Sequence, residues 1–335
     1  MFGLQSLPKK CDFNRIAVLT SGGDAPGMNA AIRAIVRTGH SEDVDIFGIQ
    51  RGYSGLVEGD VRPLSTRAVA HILQRGGTIL KSDRCDAFRD PAVRWQAVEQ
   101  LRDAGIEALV VIGGEGSLTG AMLMQQETGF PVIGLPGTID NDIYGTEDSI
   151  GFDTAVDTAL GSIDRIRDTA NSHDRLFLVE VMGRNSGFIA AYAGIAGGAE
   201  FVMTPENQFD PDWLYDELVK SHRAGKSSSL VLVAEGAVPG RTQALAQSLI
   251  ERGLEPRVCI LGHTQRGGAP TGHDRMLASY LGAMAIRHLL AGDSNIMLGI
   301  ARHQLVQVPL TDVAGKSKTL PPGVTDLAAV LRRSI

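Results

Sequence analysis

The chain has 335 residues, of which 43% are hydrophobic and 21% are charged, as is ordinary for a folded globular protein. This length allows two domains that each bury a core. The formal net charge is −6, and lysines and arginines form no dense run, which argues against a nucleic-acid partner.

Cysteine usage and the absence of long apolar stretches favour a cytoplasmic protein. Cys11, Cys85 and Cys259 are too few and too widely spaced to predict a disulfide framework or a zinc site. The first 14 residues lack the apolar core of a signal peptide. No segment approaches the roughly 18 uninterrupted apolar residues of a membrane span, so we expect no membrane partner.

A repeating order of apolar strand, glycine-rich turn and amphipathic helix begins near residue 15. The strands predicted in this part of the chain lie at residues 15–20, 44–49, 108–112 and 132–135. Helices are predicted after the first strand and over residues 118–126. Apolar strands that alternate with helices indicate a parallel sheet covered on both faces. The turns at 21–27, 113–117 and 136–142 should then gather at the carboxyl edge, where such sheets bind ligands.

A second series of strands and helices begins near Gly151 with a long helix whose apolar face runs from Phe152 to Ile166. Further strands are predicted at 176–181, 201–203, 230–234 and 258–261, and further helices at 187–196, 212–223 and 242–252. A helix over 274–290 is expected to return to the first domain. The prediction is two doubly wound, Rossmann-like α/β domains with the active site in the cleft between them. The first domain is expected to comprise residues 1–150 plus about 270–310. The second is expected to comprise residues 151–269 plus a C-terminal tail of about 311–335.

The first two glycine-rich turns have the character of phosphate-binding loops. The turn from Ser21 to Gly27 places bare backbone amides before a helix, which suits an anion, but it lacks the Lys-Ser/Thr of a Walker A loop. In the turn from Gly113 to Ser117, Glu115 offers a carboxylate that can hold Mg²⁺ directly or through water. Each turn alone is also explained as a tight connection that needs positive φ. No acidic residue ends the next strand, which disfavours an NAD site.

The third turn contains two carboxylates, Asp140 and Asp142, two residues apart. Two carboxylates in one short turn allow one to face an acceptor hydroxyl while the other faces a metal. A polar loop with an Asx turn explains either residue singly. It explains both less well when two phosphate-type loops lie nearby.

A cationic set follows in the second half of the chain: Arg175, Arg184, Arg257, His263 and Arg266. A sugar-phosphate dianion needs several charge-assisted donors, and guanidinium groups bind it in bidentate geometry. Each cation alone is also explained as a solvated surface charge. Glu235 ends an apolar strand and can accept hydrogen bonds from sugar hydroxyls, with a helix cap as its alternative role.

Together, the segments LTSGGDAPGMNAAIR, VVIGGEGS, LPGTIDNDIYGTE, VEVMGR and LGHTQRGGAP resemble the signature set of the bacterial ATP-dependent 6-phosphofructokinase family over about residues 16–290. The resemblance implies transfer of the γ-phosphoryl group of ATP to the C1 hydroxyl of fructose 6-phosphate, a step of glycolysis, with Mg²⁺ as cofactor. It assigns ATP to the first predicted domain and the sugar phosphate to the second. It also implies a homotetramer whose sites are completed across subunits.

The same resemblance implies roles at matching positions. Asp140 resembles the general base, with Thr138 beside it, while Gly23 and Arg84 match contacts of the transferring phosphoryl group. The ATP positions are Gly23, Arg84, Cys85, Gly114, Glu115, Gly116 and Ser117. The substrate positions are Thr138, Asp140, Arg175, Met182, Gly183, Arg184, Glu235, Arg257, His263 and Arg266, and the metal positions are Glu115 and Asp142. Arg175 and Arg257 match residues that reach the substrate of a neighbouring subunit.

Three positions bear on the choice of phosphoryl donor. Pyrophosphate-dependent relatives typically carry Asp and Lys where this chain has Gly116 and Gly137, so ATP is favoured. Glu115 stands where ATP-dependent members commonly have Asp, and the extra methylene is expected to shift the carboxylate. A pyrophosphate-dependent kinase, a kinase for another ketose phosphate, a silent regulatory subunit and a nucleotide sensor remain alternatives.

A possible effector site is matched only in part. Positions that hold ADP or phosphoenolpyruvate in the family correspond to Arg33, Arg37, Arg167, Glu200 and Lys226. Asp60 and Ser227 replace basic residues of that pocket. Reversed or missing charge should weaken anionic effectors, so regulation of this kind is not expected.

Overall fold

The computed structural model describes residues 3–332 except Gln5, Asp174, Phe209 and residues 238–240. The described residues divide into two compact units. Unit 1 is formed by those within Met1–Ile139, Ile143–Thr154 and Arg266–Lys318, and unit 2 by those within Asp140–Asp142, Ala155–Gln265 and Thr319–Ile335.

The strands, in chain order, are β1 (Arg15–Ser21), β2 (Asp45–Ile49), β3 (Val61–Pro63), β4 (Ala108–Gly113), β5 (Val132–Pro136), β6 (Leu176–Val181), β7 (Phe201–Met203), β8 (Ser229–Ala234), β9 (Arg257–Ile260), β10 (Ile296–Ala301) and β11 (Gln304–Pro309).

The α-helices are α1 (Met28–Ser41), α2 (Gly52–Glu58), α3 (Pro91–Asp103), α4 (Glu115–Thr128), α5 (Phe152–His173), α6 (Phe188–Ala196), α7 (Pro211–Arg223), α8 (Arg241–Glu251), α9 (Gly272–Leu290), α10 (Leu310–Val313) and α11 (Pro322–Arg332). Within the described residues, no helix combines the length and the apolar character that crossing a bilayer requires.

The sheet of unit 1 has the strand order β11-β10-β5-β4-β1-β2-β3 within the described residues. Its central strands are parallel, and the apolar strand β4 is buried along its whole length, as expected for a sheet covered on both faces. Helix α1 packs closely on α9. The absence of a side chain at Gly282 permits this approach, since a Cβ there would lie 2.6 Å from the carbonyl oxygen of Ala31.

The start of α5 is fixed by a buried carboxylate. Asp274 accepts hydrogen bonds from the backbone amides of Gly151 and Thr154, each at 2.8 Å, and from the Thr154 hydroxyl. Burial raises the pKa of Asp274, since low polarity disfavours the ionised form. These contacts satisfy amide groups that a helix start leaves without intrahelical partners.

The sheet of unit 2 has the order β7-β8-β6-β9 in the described part of the chain, and its pairs are parallel. Central strands β6 and β8 bury most of their residues, whereas edge strand β9 is largely exposed. The parallel pairing places the residues that follow β6, β8 and β9 at one edge of this sheet.

The predicted α/β class is confirmed, and each predicted strand and helix is present with ends that differ by a few residues. The parallel pairing predicted for the four strands of the first series is also confirmed, and two strands that were not predicted, β3 and β11, form the edges of the sheet. Strand β3 pairs antiparallel with β2, and β11 pairs antiparallel with β10. The connection from β10 to β11 consists of Arg302 and His303 alone, which suits an antiparallel hairpin, whereas parallel neighbours require a long crossover.

Candidate active site

The three glycine-rich turns of unit 1 lie side by side. Ser21, at the end of β1, pairs with Gly113 at the end of β4, and Gly113 pairs with Pro136 at the end of β5. The backbone amide of Gly137 donates to the carbonyl of Gly113 at 2.9 Å. The predicted gathering of these turns at the carboxyl edge is therefore confirmed.

The first turn is shaped by glycines and approached by Arg266. Gly22 has φ 83° and Gly27 has φ 108°, a region that glycine occupies with little strain. A Cβ at Gly23 would collide with the guanidinium group of Arg266. Arg266 also donates through Nη1 to the carbonyl of Asp24 at 3.3 Å. The structure thus places this predicted substrate residue in unit 1, beside the first turn.

The second turn opens α4 and has free space at its glycine. A Cβ at Gly116 would meet no atom within 4 Å, so a bulky ligand has room there. Ser117 is buried, and its carbonyl accepts the Tyr53 hydroxyl at 2.6 Å. Burial raises the pKa of Tyr53, which keeps this phenol protonated as a donor. Tyr53 is a supporting residue that the sequence pattern did not indicate.

The two glycines used to predict the donor have different surroundings. Whereas Gly116 is open, a Cβ at Gly137 would lie 3.0 Å from Ile112 and 3.1 Å from Met28. These distances are tighter than ordinary van der Waals contact, so packing alone accounts for glycine at position 137. Of these two glycines, only Gly116 therefore supports ATP rather than pyrophosphate as the phosphoryl donor.

The carboxylate of Glu115 is held at the start of α4. Its Oε1 accepts the Thr119 hydroxyl at 2.8 Å and the Gly315 amide at 2.9 Å. Glu115 and Asp142 are both partly exposed, and carboxylate oxygens are the ligands that Mg²⁺ prefers. Among the described residues, no group of three or more His, Cys, Asp or Glu side chains is arranged to hold a metal. One or two carboxylates together with substrate phosphates are the usual Mg²⁺ set, so each of these carboxylates taken singly has the chemistry that this ion requires.

Arg84 and Cys85 follow a segment that is fastened to β1. The Thr20 hydroxyl donates to the Lys81 carbonyl at 2.7 Å. Arg84 is exposed, and its backbone amide donates to Asp83 at 2.7 Å. Cys85 packs against the hydrophobic core of unit 1, so its side chain is better suited to shaping the segment than to contacting phosphate.

Thr138 lies in the part of the third turn that belongs to unit 1. This residue is buried, and its carbonyl accepts the buried Ser149 hydroxyl at 2.7 Å. Ser149 was not predicted, because nothing in the spacing of the two residues indicates the contact.

In unit 2, the turns after β6 and β8 meet. The Glu235 amide donates to the Val181 carbonyl at 2.9 Å, and the Arg184 amide donates to Glu235 Oε1 at 2.7 Å. Gly183 has φ 141° and Arg184 has φ 52°, so the chain turns sharply after the buried Met182. His263 is exposed in a short 3-10 helix, Gly262–Arg266, that follows β9 at the same edge.

Asp140 is joined to this group. Its carboxylate is almost completely buried, with 4% of the side chain exposed, and its Oδ2 lies 3.7 Å from Arg184 Nε. The Ser186 hydroxyl donates to the Asp140 carbonyl at 3.0 Å. Asp140, Arg184 and Glu235 therefore form one connected set of a carboxylate, a guanidinium cation and a second carboxylate that accepts a hydrogen bond, at the carboxyl edge. Ser186 is a second supporting hydroxyl that was not predicted.

Arg175 and Arg257 lie at the opposite edge of the same sheet. Arg175 precedes β6, and Arg257 begins β9, where it pairs with Phe177. The six residues of β6 span about 20 Å at the usual rise of a strand. The structure thus separates these two predicted substrate residues from Arg184 and Glu235 of their own chain.

The predicted effector residues form two local groups. Arg33 and Arg37 lie one turn apart on α1 in unit 1, and burial together with Arg37 lowers the pKa of Arg33. In unit 2, Glu200 lies 2.9 Å from Lys226 and 3.5 Å from Arg167. The unit 2 cations are thus partly neutralised by Glu200, and the expectation of weak anionic effector binding stays a prediction.

Comparison with known proteins gives a consistent result. A family model described as "Phosphofructokinase" matches residues 15–289. The chain is 52% identical over 318 residues to "ATP-dependent 6-phosphofructokinase 1" of Thermus thermophilus, covering 95% of this chain and 99% of that protein. It is 48% identical to the ATP-dependent 6-phosphofructokinase of Halothermothrix orenii, with 95% and 99% covered.

Solved structures show the same fold. Phosphofructokinase from Saccharomyces cerevisiae superposes with a TM-score of 0.83 at 38% identity, covering 90% of this chain and 45% of that one. The pyrophosphate-dependent phosphofructokinase from Marinobacter aquaeolei superposes with a TM-score of 0.82 at 22% identity, covering 95% and 91%. The second likeness concerns the fold alone.

Proposed function

Because the chain belongs to the phosphofructokinase family, we propose that it phosphorylates fructose 6-phosphate at the C1 hydroxyl with ATP as donor. The observation that carries the proposal is the connected set of Asp140, Arg184 and Glu235 at the carboxyl edge of the unit 2 sheet. It offers a base, a cation and an acceptor for sugar hydroxyls in one place. We infer a cytoplasmic location, where ATP is available.

In this proposal, Asp140 is the general base. The C1 oxygen attacks the γ-phosphorus, the bond to the β-γ bridging oxygen breaks, ADP leaves, and the C1 proton passes to the Asp140 carboxylate. Burial of Asp140 strengthens its electrostatic interactions, because fewer water molecules screen them. Arg184 supplies positive charge beside the acid, and Glu235 orients the sugar while it holds the Arg184 amide.

Unit 1 is the proposed donor site. The turns after β1 and β4 present backbone amides to phosphate oxygens, and the open space at Gly116 accommodates a nucleotide. Arg84 balances charge on the transferring group. Glu115 would hold Mg²⁺, which neutralises phosphate charge when bound. Asp142, which belongs to unit 2, is the other carboxylate proposed for this ion.

We propose a homotetramer in which Arg175 and Arg257 bind the 6-phosphate in a neighbouring subunit's site. Both residues lie at the amino edge of the sheet, away from Asp140, Arg184 and Glu235 of their own chain. Mixing Asp140→Asn chains with Arg175→Ala chains should then restore part of the activity that each variant lacks. A mixture that stays as inactive as its components would oppose the shared site.

The test of the activity is a coupled assay of the purified chain with ATP and pyrophosphate in parallel, against fructose 6-phosphate and other ketose phosphates. Asp140→Asn should lower turnover by about 10²–10⁴-fold, the range that general acid-base catalysis supplies. Asp164→Asn, an exposed position on α5, is the matched control. Pyrophosphate as the better donor, another preferred sugar, or no turnover at all would each replace the proposal with a named alternative.

A further inference from the structure

Asn29, the second residue of α1, is 1% exposed, and its side chain bonds to a segment about 50 residues further along unit 1. Its Nδ2 donates to the carbonyls of Arg75 and Gly76, each at 3.1 Å, and its Oδ1 accepts the Ile79 amide at 2.8 Å. An asparagine amide has two N–H donors, and both are used here. One buried side chain therefore fastens residues 75–79 to the start of α1.

The segment that Asn29 holds has little regular structure of its own. Residues 64–85, all of which the structure describes, contain no helix or strand. Its position therefore depends on side-chain contacts more than on a regular backbone ladder. Thr20 of β1 supplies two more of these contacts, because its hydroxyl lies 3.0 Å from that of Thr78 and donates to the Lys81 carbonyl at 2.7 Å.

The fastened segment leads directly to Arg84. The Ser54 hydroxyl of α2 donates to Asp83 Oδ2 at 3.1 Å, and Asp83 Oδ1 accepts the Arg84 amide at 2.7 Å. Arg84 itself is exposed, so its guanidinium group is available to a ligand. The contacts made by Asn29, Thr20 and Ser54 thus fix the path of the backbone from residue 75 to Arg84.

The same segment lies beside the first glycine-rich turn. A Cβ at Gly77 would lie 3.7 Å from Asp24 Oδ2, which is ordinary contact distance. Asn29 follows Gly27, the last residue of that turn, by two positions. The side chain that holds the segment before Arg84 is therefore carried by the same piece of chain as the turn that contains Gly23.

We propose that Asn29 is a positioning residue for phosphoryl transfer, which holds the segment before Arg84 at a fixed distance from the first turn. The inference rests on the proposed function, in which Gly23 and Arg84 both contact the transferring phosphoryl group. Charge stabilisation requires donors that are already in place when the reaction occurs. A backbone without regular structure does not supply that order by itself, and the Asn29 side chain does.

The experiment is a double-mutant cycle on the full chain, measured with the phosphoryl donor and sugar phosphate that the wild type turns over fastest. Asn29→Asp keeps the size of the side chain and an acceptor for the Ile79 amide, but it removes both N–H donors. We expect kcat to fall about 10- to 100-fold, as when a catalytic group moves by about 1 Å. The KM for the donor should change little, because the lost interaction belongs to the transition state.

The second arm repeats Asn29→Asp in an Arg84→Ala background. There it should lower kcat by less than about threefold, because an absent guanidinium group cannot be misplaced and coupled residues are not additive. A residue that supports the fold alone would lower kcat by the same factor in both backgrounds. Thr20→Val, which removes the hydroxyl on Lys81 without changing the side-chain shape, takes the place of Asn29→Asp in the same cycle if that variant does not fold.

Ile106→Ala is the matched control for stability, because Ile106 is buried just before β4, at the amino edge of the unit 1 sheet. It should lower the melting temperature and leave kcat unchanged. The inference is overturned by equal factors in the two backgrounds, by a loss of melting temperature without a loss of kcat, or by an equal loss of kcat in Ile106→Ala. In each of these cases an active wild type leaves the proposed function standing, whereas a wild type without turnover overturns both.

Discussion

Ser186→Ala tests whether the proposed general base, Asp140, depends on a neighbouring hydroxyl. Ser186 and Asp140 are both buried, and the Ser186 hydroxyl donates to the Asp140 carbonyl at 3.0 Å. Loss of this buried hydrogen bond should cost about 1–3 kcal/mol of unfolding free energy. The larger effect should be on turnover, because a base displaced by about 1 Å can lose about 10²-fold in rate. We expect kcat to fall about 10- to 100-fold, with little change in the KM for ATP.

The assay combines steady-state kinetics with thermal unfolding of the same preparations. Ser186→Cys, which keeps a weak donor, should lie between wild type and Ser186→Ala in kcat. Ser172→Ala is the matched control, because its hydroxyl donates to the Asp168 carbonyl at 2.8 Å on the exposed part of α5. If Ser186→Ala lowers stability but leaves kcat unchanged, the hydroxyl supports the fold alone and the positioning argument is refuted.

Three further changes probe the start of α1, an ion pair and the second turn. Gly27→Ala should cost about 1–3 kcal/mol, because φ is 108° and the new Cβ would lie 2.7 Å from an isoleucine side chain; an unchanged melting temperature would contradict this. A hydrogen bond with Asp148 raises the pKa of His273, and one with His273 lowers the pKa of Asp148. His273→Gln should therefore cost up to about 1 kcal/mol between about pH 4 and 6.5, and progressively less as rising pH removes the imidazolium charge; equal losses at pH 6 and 9 would oppose it. Tyr53→Phe should cost about 1 kcal/mol and raise the KM for ATP, since it frees the Ser117 carbonyl; an unchanged KM would separate Tyr53 from the donor site.

The central strands could be predicted because strands that are buried on both faces consist mostly of apolar residues. Strand β4 is buried at every position, so it consists of apolar residues and glycine, and the helices around it follow the usual amphipathic spacing. Strand β11 is only partly buried and gives no such continuous signal. Helix α3 was not predicted, and its buried face includes Arg94, which pairs with Glu127. Because Arg94 is buried against a partner 33 residues away, the buried face of α3 contains a charged residue and does not show the apolar spacing that predicts a helix.

Some residues of the candidate site could be predicted from the sequence and others could not. Residues that directly follow strands were predictable, because parallel pairing sends every carboxyl end to one edge of a sheet. Ser149 and Ser186 were not, since they reach the carbonyls of Thr138 and Asp140 across 11 and 46 residues of sequence. Each is almost fully buried, and a buried hydroxyl must find an acceptor. The motif thus supplies the carboxylate proposed as general base, whereas the fold supplies the hydroxyls that hold the carbonyls at 138 and 140. A chain with an intact motif and apolar residues at 149 and 186 should therefore fold with a misplaced base.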